Sequence, residues 1–392
     1  MPPRAKPRRR VPDRRLSMRV AIDIRRAGDY GVGTYIRNTL YHLGRIDAES
    51  NYMLIGTRKH FEEVGPLPEN FELLEYAAEP GTLRTHLHLP LVLDRERVDL
   101  LHMPWFYAPA VTTCRLLITV HDMTDILHAP RAGSPLVHAG RLYFAKRALN
   151  KAVRIVTVSQ ASKRELARGF QVPEEKVEVI YNALDDRFTR EPFPADADRI
   201  LERLAVADPF VLYAGNIKPQ KNLARLIEAF AVAKAELAAE GKFSNLKLVV
   251  IGDELAKHPD LRRAVVRTRL REDVRFLGFV QHNVLRAFYA RARAFLFPSL
   301  YEGFGLPPLE AMAHGTPVVA SSVSSLPEVL GQAALLVNPE NVFDIARGIR
   351  QVLTDEDLRT ELVRRGYEQM RRYSWERSAR QLLEVYRASV PA

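Results

Sequence analysis

The chain has 392 residues, 47% of them hydrophobic, which is enough for sizeable cores and more length than one typical domain uses. Net charge is +11, but Arg4, Lys6, Arg8, Arg9, Arg10, Arg14 and Arg15 against Asp13 put +6 into residues 1–17 and leave +5 for the other 375, so the basic character belongs to a tail and not to a nucleic-acid-binding face. The single cysteine, Cys114, excludes an intrachain disulfide and suits a reducing compartment, and no run of about 18 apolar residues is present for a transmembrane helix.

The tail MPPRAKPRRRVPDRRLS is rich in Pro and Arg and has no apolar segment, so it is expected to be disordered and not a secretory signal. Its charge suits reversible peripheral contact with anionic membrane at the inner face, and the expected location is cytoplasmic. Regular structure begins with a strand over Met18–Ile24 (MRVAIDI). Gly28, Gly31 and Gly33 follow, then an amphipathic helix from about Thr34 to Leu43. Strand, glycine turn and helix is a phosphate-binding layout, but Ile36 stands where a dinucleotide fingerprint needs its third glycine.

Strands are expected at Tyr52–Gly56, Asp99–His102, Leu116–Val120, Arg154–Val158 and Val177–Ile180, and helices at Leu136–Asn150 and Gln160–Gly169, the latter behind Ser159 as N-cap. Such alternation predicts a parallel sheet covered on both faces. Leu116–Val120 runs straight into His121 and Asp122, a polar pair at the carboxyl end of a buried strand, where open α/β sheets bind ligands. His102 ends the strand before it, in an aromatic loop that could hold an acceptor. Residues 18–190 thus form a first domain, and Glu191–Asp198 (EPFPADAD) reads as a linker.

The second domain, residues 199–373, restarts with a strand at Phe210–Ala214, then Gly215-Asn216-Ile217-Lys218-Pro219-Gln220-Lys221-Asn222 and a long helix. A cation near the start of a helix opposes the helix dipole, so an idle Lys221 there is slightly unfavourable. Further strands fit Leu246–Ile251 and Val274–Leu277, with helices at Leu261–Leu270 and Asn283–Arg291. Ala294–Pro317 (AFLFPSLYEGFGLPPLEAMAHGTP) reads as a short strand stopped by Pro298, a loop holding Glu302, Gly303 and Gly305, and a helix beginning near Leu306. Two close glycines let a backbone approach a ligand, and a helix start is a ready site for a diphosphate. Glu302 and Glu310, eight positions apart, would accept hydrogen bonds from sugar or ribose hydroxyls. Strands at Val318–Ala320 and Ala333–Val337 and helices at Phe343–Leu353, Glu356–Arg371 and Trp375–Tyr386 complete the chain, residues 374–392 forming a terminal helix.

The Glu302–Glu310 stretch, EGFGLPPLE followed by AMAHGTPVVA, resembles the signature of retaining glycosyltransferases of family 4. The resemblance spans roughly residues 18–388 and implies a GT-B fold: two Rossmann-like, doubly wound domains facing a cleft, with the terminal helix crossing back to the first. It implies that Glu302 lies against the donor sugar, that Glu310 binds the ribose, that His121 contacts the sugar, and that the glycine turn at Gly31 and Gly33 faces the donor phosphates. Gly303, Phe304, Gly305 and Leu306 would line the same nucleotide sugar. Lys221 matches a diphosphate-gripping lysine. The arginine that usually stands five positions earlier is replaced by Asn216, which leaves Lys218 to supply the missing charge. GVGTYIRN and GNIKPQKN look most similar to bacterial mannosyltransferases of surface polysaccharide synthesis, which implies GDP- or UDP-linked donors and a glycan or lipid-linked acceptor. No Asp-x-Asp pair ends a strand, so a metal-dependent transfer is not expected, and no cofactor beyond the donor is implied. Two other readings remain open: a nucleotide-sugar epimerase of the same fold, and a non-catalytic basic binding protein.

Overall fold

The computed structural model describes residues 17–109, 111–124, 135–190, 196–206 and 208–390. Of the expected tail only Ser17 lies among them. Of the expected linker, residues 191–195 lie outside the described residues, while Asp196 is the N-cap of a helix, Ala197–Arg203, and Asp198 stands in its first turn.

Thirteen described strands run in chain order as β1 (Arg19–Asp23), β2 (Asn51–Gly56), β3 (Phe71–Glu75), β4 (Leu100–Met103), β5 (Arg115–Val120), β6 (Arg154–Thr157), β7 (Val177–Val179), β8 (Phe210–Ala214), β9 (Lys247–Ile251), β10 (Val274–Gly278), β11 (Phe295–Phe297), β12 (Val318–Ser321) and β13 (Ala334–Val337). They form a seven-stranded sheet in the order β3-β2-β1-β4-β5-β6-β7 and a six-stranded sheet in the order β10-β9-β8-β11-β12-β13. The ladders are parallel, for example Tyr213 opposite Val250 and Leu296 opposite Val319. All five residues of β8 are buried. Such runs, apolar without alternation, belong to parallel strands with helices on both faces. The fold is therefore the doubly wound, two-domain GT-B architecture expected.

The helices used below are α1 (Gly31–Ile46), α2 (Arg58–Val64), α3 (Leu83–Leu87), α4 (Leu89–Arg95), α5 (Pro135–Lys151) and α6 (Gln160–Phe170). Later in the chain come α7 (Asp186–Arg190), α8 (Ala197–Arg203), α9 (Leu223–Ala239), α10 (Pro259–Arg267), α11 (His282–Arg291), α12 (Leu306–Ala313), α13 (Leu326–Leu330), α14 (Val342–Thr354), α15 (Glu356–Met370) and α16 (Trp375–Ser389). Helix α1 starts three residues before the expected Thr34, so Gly31 and Gly33 belong to its first turn and not to a preceding loop. The reason is packing: a Cβ on Gly33 would lie 2.3 Å from the Ala27 carbonyl oxygen. Ser159 caps α6 as expected, its hydroxyl accepting from the Ser162 N–H at 3.0 Å. No described helix is long and apolar enough to cross a membrane.

The described residues of Met1–Thr119, Ala139–Val156 and Ala379–Ala392 form one compact unit, and those of Val120–His138 and Thr157–Ser378 another. The sequence reading places its division at residue 190, by the linker and not by contacts. The grouping follows packing and not strand membership, so β7 counts with the second unit although it extends the seven-stranded sheet. In the first unit His102 is fully buried. Its Nδ1 lies 2.6 Å from the Tyr386 hydroxyl and its Nε2 2.8 Å from the Thr119 hydroxyl, which in turn lies 3.1 Å from the Tyr35 hydroxyl. A histidine committed to both ring nitrogens within the core is a structural residue, so His102 is not the acceptor contact that its loop suggested.

Candidate active site

The site is built at the carboxyl ends of the strands of the six-stranded sheet, within the second unit. Gly252, after β9, sits against the loop after β8 so closely that a Cβ on it would stand 2.0 Å from the Gly215 carbonyl oxygen; only glycine fits there. The Gly252 N–H donates to the Gly278 carbonyl at 3.0 Å, which ties in the end of β10. Beside this crest is a cavity of about 580 Å³ walled by Glu254, Leu255, Phe276, Leu277 and Phe279. No motif announces it, because its walls come from an edge strand and the loop of its neighbour.

The loop from Gly215 to Asn222 is held at several points. The Tyr213 hydroxyl donates to the Asn216 carbonyl at 2.9 Å. Lys218 is exposed. Pro219–Lys221 forms one 3-10 turn, and Asn222 follows in the left-handed region at φ 62°. Asparagine tolerates that conformation, and its side-chain amide donates to the carbonyls of Pro298 at 3.0 Å and Pro339 at 2.7 Å. The Leu300 N–H donates back to the Gln220 carbonyl at 2.7 Å. These bonds fasten the loop to the exit of β11 and aim the Lys221 ammonium at Glu302: Nζ lies 2.6 Å from Oε1 and 5.4 Å from the centre of the Phe297 ring. Both side chains are largely covered, 14% and 11% exposed, so their attraction is weakly screened.

The main chain at Glu302 is fixed from the loop after β12. The Ser324 hydroxyl accepts from the Glu302 N–H at 3.2 Å and donates to the Glu302 carbonyl at 2.7 Å. Ser325 places its hydroxyl 2.9 Å from that carbonyl and 3.1 Å from that of Phe304. Ser324 itself is held at φ 60°, a strained conformation that this pair of bonds sustains. A Cβ on Gly303 would be 1.8 Å from the His121 carbonyl oxygen, so Gly303 lets the His121 backbone lie directly against the Glu302 loop. The segment after His121 is tied to the same loop. The Met123 N–H donates to the Tyr301 hydroxyl at 3.1 Å, and that hydroxyl donates to Glu165 at 2.6 Å. The Asp122 carboxylate accepts from the Thr124 N–H at 2.8 Å.

Phe304 is buried and Gly305, at φ 101°, is the N-cap of α12, which starts at Leu306 as expected. Pro307 and Pro308 carry no N–H, so the first turn of α12 offers the N–H groups of Leu306 and Leu309. On the same helix Glu310 accepts from the Tyr289 hydroxyl at 2.9 Å. Its pKa is pushed up to about 7, chiefly by lost hydration and further by the charge of Asp185, while the Tyr289 bond and Arg187 oppose the shift. Part of the residue's surface meets solvent, yet protein encloses the carboxyl, and that enclosing volume sets its hydration.

The structure thus places Asn216, Lys221, Glu302, Gly303, Phe304, Gly305, Leu306 and Glu310 at the crest of the six-stranded sheet and brings the main chain of His121, which follows β5 of the seven-stranded sheet, against Gly303, while Gly31 and Gly33 belong to the first unit. Tyr213, Asn222, Tyr289, Tyr301, Ser324 and Ser325 were not singled out from the sequence. Among the described residues, no group of three or more His, Cys, Asp and Glu side chains is arranged to hold a metal ion.

Residues 196–369 match the family described as Glycosyl transferases group 1, and residues 30–188 match Glycosyltransferase Family 4. The O-antigen chain mannosyltransferase B of Escherichia coli is 32% identical over 292 residues, covering 73% of each chain. The serotype-specific mannosyltransferase WbdA of Escherichia coli is 32% identical over 269 residues, 68% of this chain but only 32% of that protein. Among solved structures, Anabaena Alr3699/HepE in complex with UDP-glucose has a TM-score of 0.73 at 19% identity, covering 95% of this chain and all of the other.

Proposed function

Since this chain belongs to the group 1 glycosyl transferases, with a family 4 glycosyltransferase region ahead of the group 1 region, we propose that it moves a hexose, mannose first among candidates, from a nucleotide sugar to a glycan or lipid-linked acceptor with retention of anomeric configuration. The observation that carries the reading is the covered Lys221–Glu302 pair at 2.6 Å, set on a loop that Gly303 lets pack directly against the His121 main chain. When a diphosphate leaves an anomeric carbon, negative charge grows on the phosphate oxygens. A preorganised ammonium lowers that barrier most, and this is the role given to Lys221. Donor binding then draws Lys221 from its carboxylate to the diphosphate. Glu302 is released to accept bonds from sugar hydroxyls and to offset positive charge at the reacting carbon. His121 contacts the sugar from the other side of Gly303. Glu310 takes the ribose, and the cavity by Phe276 and Phe279 takes the base. The donor is GDP- or UDP-linked, no metal ion is required, and a single cysteine with a nucleotide-sugar substrate suits the cytoplasm.

The test is a panel of UDP- and GDP-sugars with and without EDTA, measuring diphosphate release and the anomeric configuration of the product. Turnover with a GDP-hexose that survives EDTA is expected, and Lys221→Ala should lower it by on the order of 10²-fold. Lys218→Ala should cost far less; equal losses would mean that Lys218 replaces the arginine absent at Asn216. Conversion of donor alone, without acceptor, would favour the epimerase reading.

A further inference from the structure

The cavity beside Gly252 has aromatic and aliphatic walls and an unpaired carboxylate, that of Glu254, at its rim. Asp253 fastens the loop that carries Glu254. One Asp253 oxygen accepts from the Glu254 N–H at 2.8 Å and from the Lys257 ammonium at 2.9 Å, and the other lies 3.3 Å from His258 Nε2. These partners, the Lys257 bond first, pull the Asp253 pKa down to about 2, so Asp253 stays ionised and committed to the loop. Leu255–Lys257 then close one 3-10 turn. The Glu254 stem packs over Gly278, which ends β10 at φ 65°: a Cβ there would stand 3.8 Å from Glu254 Cγ. The Glu254 carboxylate makes no hydrogen bond or ion pair with a described residue. Arg275, the other charged residue on the cavity wall, donates to the Leu204 carbonyl at 3.3 Å.

A carboxylate at the rim of such a cavity does two things. It repels a diphosphate, so a nucleotide enters by its base and leaves its phosphates to Lys221. It also reads the base. Phe276 and Phe279 offer ring surface against which any base packs, so the walls supply affinity without choice. The choice falls to Glu254, whose two oxygens form a fork for two N–H donors side by side. Guanine has that pair, N1–H and the 2-amino group. Uracil has one donor, N3–H, between two carbonyls, so the second carboxylate oxygen would face a carbonyl oxygen. Adenine has an amino group beside a bare ring nitrogen. Hypoxanthine keeps N1–H but lacks the amino group.

We propose that Glu254 selects the base of the donor, and that it selects guanine through N1–H and the 2-amino group, a role that rests on the transfer reading, since that reading brings a nucleoside diphosphate to this crest.

The experiment is titration calorimetry of the full chain with GDP, IDP, UDP and XDP, the diphosphates of guanosine, inosine, uridine and xanthosine. GDP should bind more than about ten-fold tighter than each of the others. Xanthine carries a carbonyl in place of the 2-amino group, and Glu254→Gln presents an amide N–H to that position. This variant should therefore reverse the order and bind XDP more tightly than GDP. Glu254→Ala should lose the preference for GDP over IDP. Lys221→Ala should weaken all four by a common factor and leave their ratios unchanged. The Glu254 side chain is exposed, so the melting temperature of the free variants should stay at the wild-type level. UDP binding as tight as GDP, or a preference for GDP that persists in both Glu254 variants, would overturn the role of Glu254 and leave the transfer reading standing. If none of the four binds, the transfer reading falls and the role of Glu254 with it.

Discussion

Glu310 joins the local electrostatics of the site to its pH dependence. Its folded pKa of about 7 stands above the ordinary 4.5, so the folded state holds this proton more tightly than the unfolded chain does. The resulting stability is complete below pH 4.5 and is lost as pH rises through about 7. Glu310→Gln, which cannot ionise, should therefore be more stable than the wild type at pH 8, by up to about 3 kcal/mol, and the gap should close in acid. Nucleotide binding should run the other way. Ribose hydroxyls donate best to a carboxylate, so affinity should rise with pH through about 7 in the wild type and stay flat in the variant, read by titration calorimetry. A wild-type affinity independent of pH would remove Glu310 from the ribose. Glu302 and Glu310 could be read from sequence because their spacing lies within one short stretch. The residues that orient them could not. Tyr289 is 21 positions from Glu310, and Tyr301 is 178 from Met123; no local pattern links such pairs.

Among the elements, the site depends on loops pressed together at glycine more than on the sheet itself. Gly303→Ala would push a methyl group into the His121 carbonyl, and neither loop has slack to yield, since Ser324, Ser325 and Tyr301 fasten both. A cost on the order of 2–4 kcal/mol and loss of turnover are expected, measured by thermal unfolding and by transfer assay. Gly31→Ala meets open space in the first turn of α1 and should change stability by less than about 1 kcal/mol. A Gly303→Ala protein as stable as Gly31→Ala would show that the Glu302 loop is free to move. The same contrast explains which elements were legible. Fully buried strands such as Phe210–Ala214 and Val318–Ser321 announce themselves by unbroken apolar runs. Strand β3, FELLE, did not, because it lies at the sheet edge with only Phe71 buried. Helices α2, α3 and α4, at seven residues or fewer, are too short for a helical period to register. The start of α1 was misplaced because its glycines, chosen for close packing against Ala27, look in sequence like turn glycines.

At the scale of the whole chain, two compact units should not unfold as one. A nucleoside diphosphate at about 100 times its dissociation constant adds about 2.7 kcal/mol to whatever binds it, so calorimetry should show the transition of the second unit moving upward while that of the first stays. A shift of both, or of neither, would contradict nucleotide binding on the second unit alone. The division also has a consequence for how the molecule is made. His102 shares a hydrogen bond with the hydroxyl of Tyr386, 284 residues later in the chain. At roughly 5–20 residues per second a ribosome needs roughly 15–60 s to cover that distance. Throughout this interval the first sheet lacks the segment that completes it, and the places later filled by Leu382, Leu383 and Tyr386 stand open to water. The part of the protein that is synthesised first therefore cannot complete its core until Tyr386 has been made.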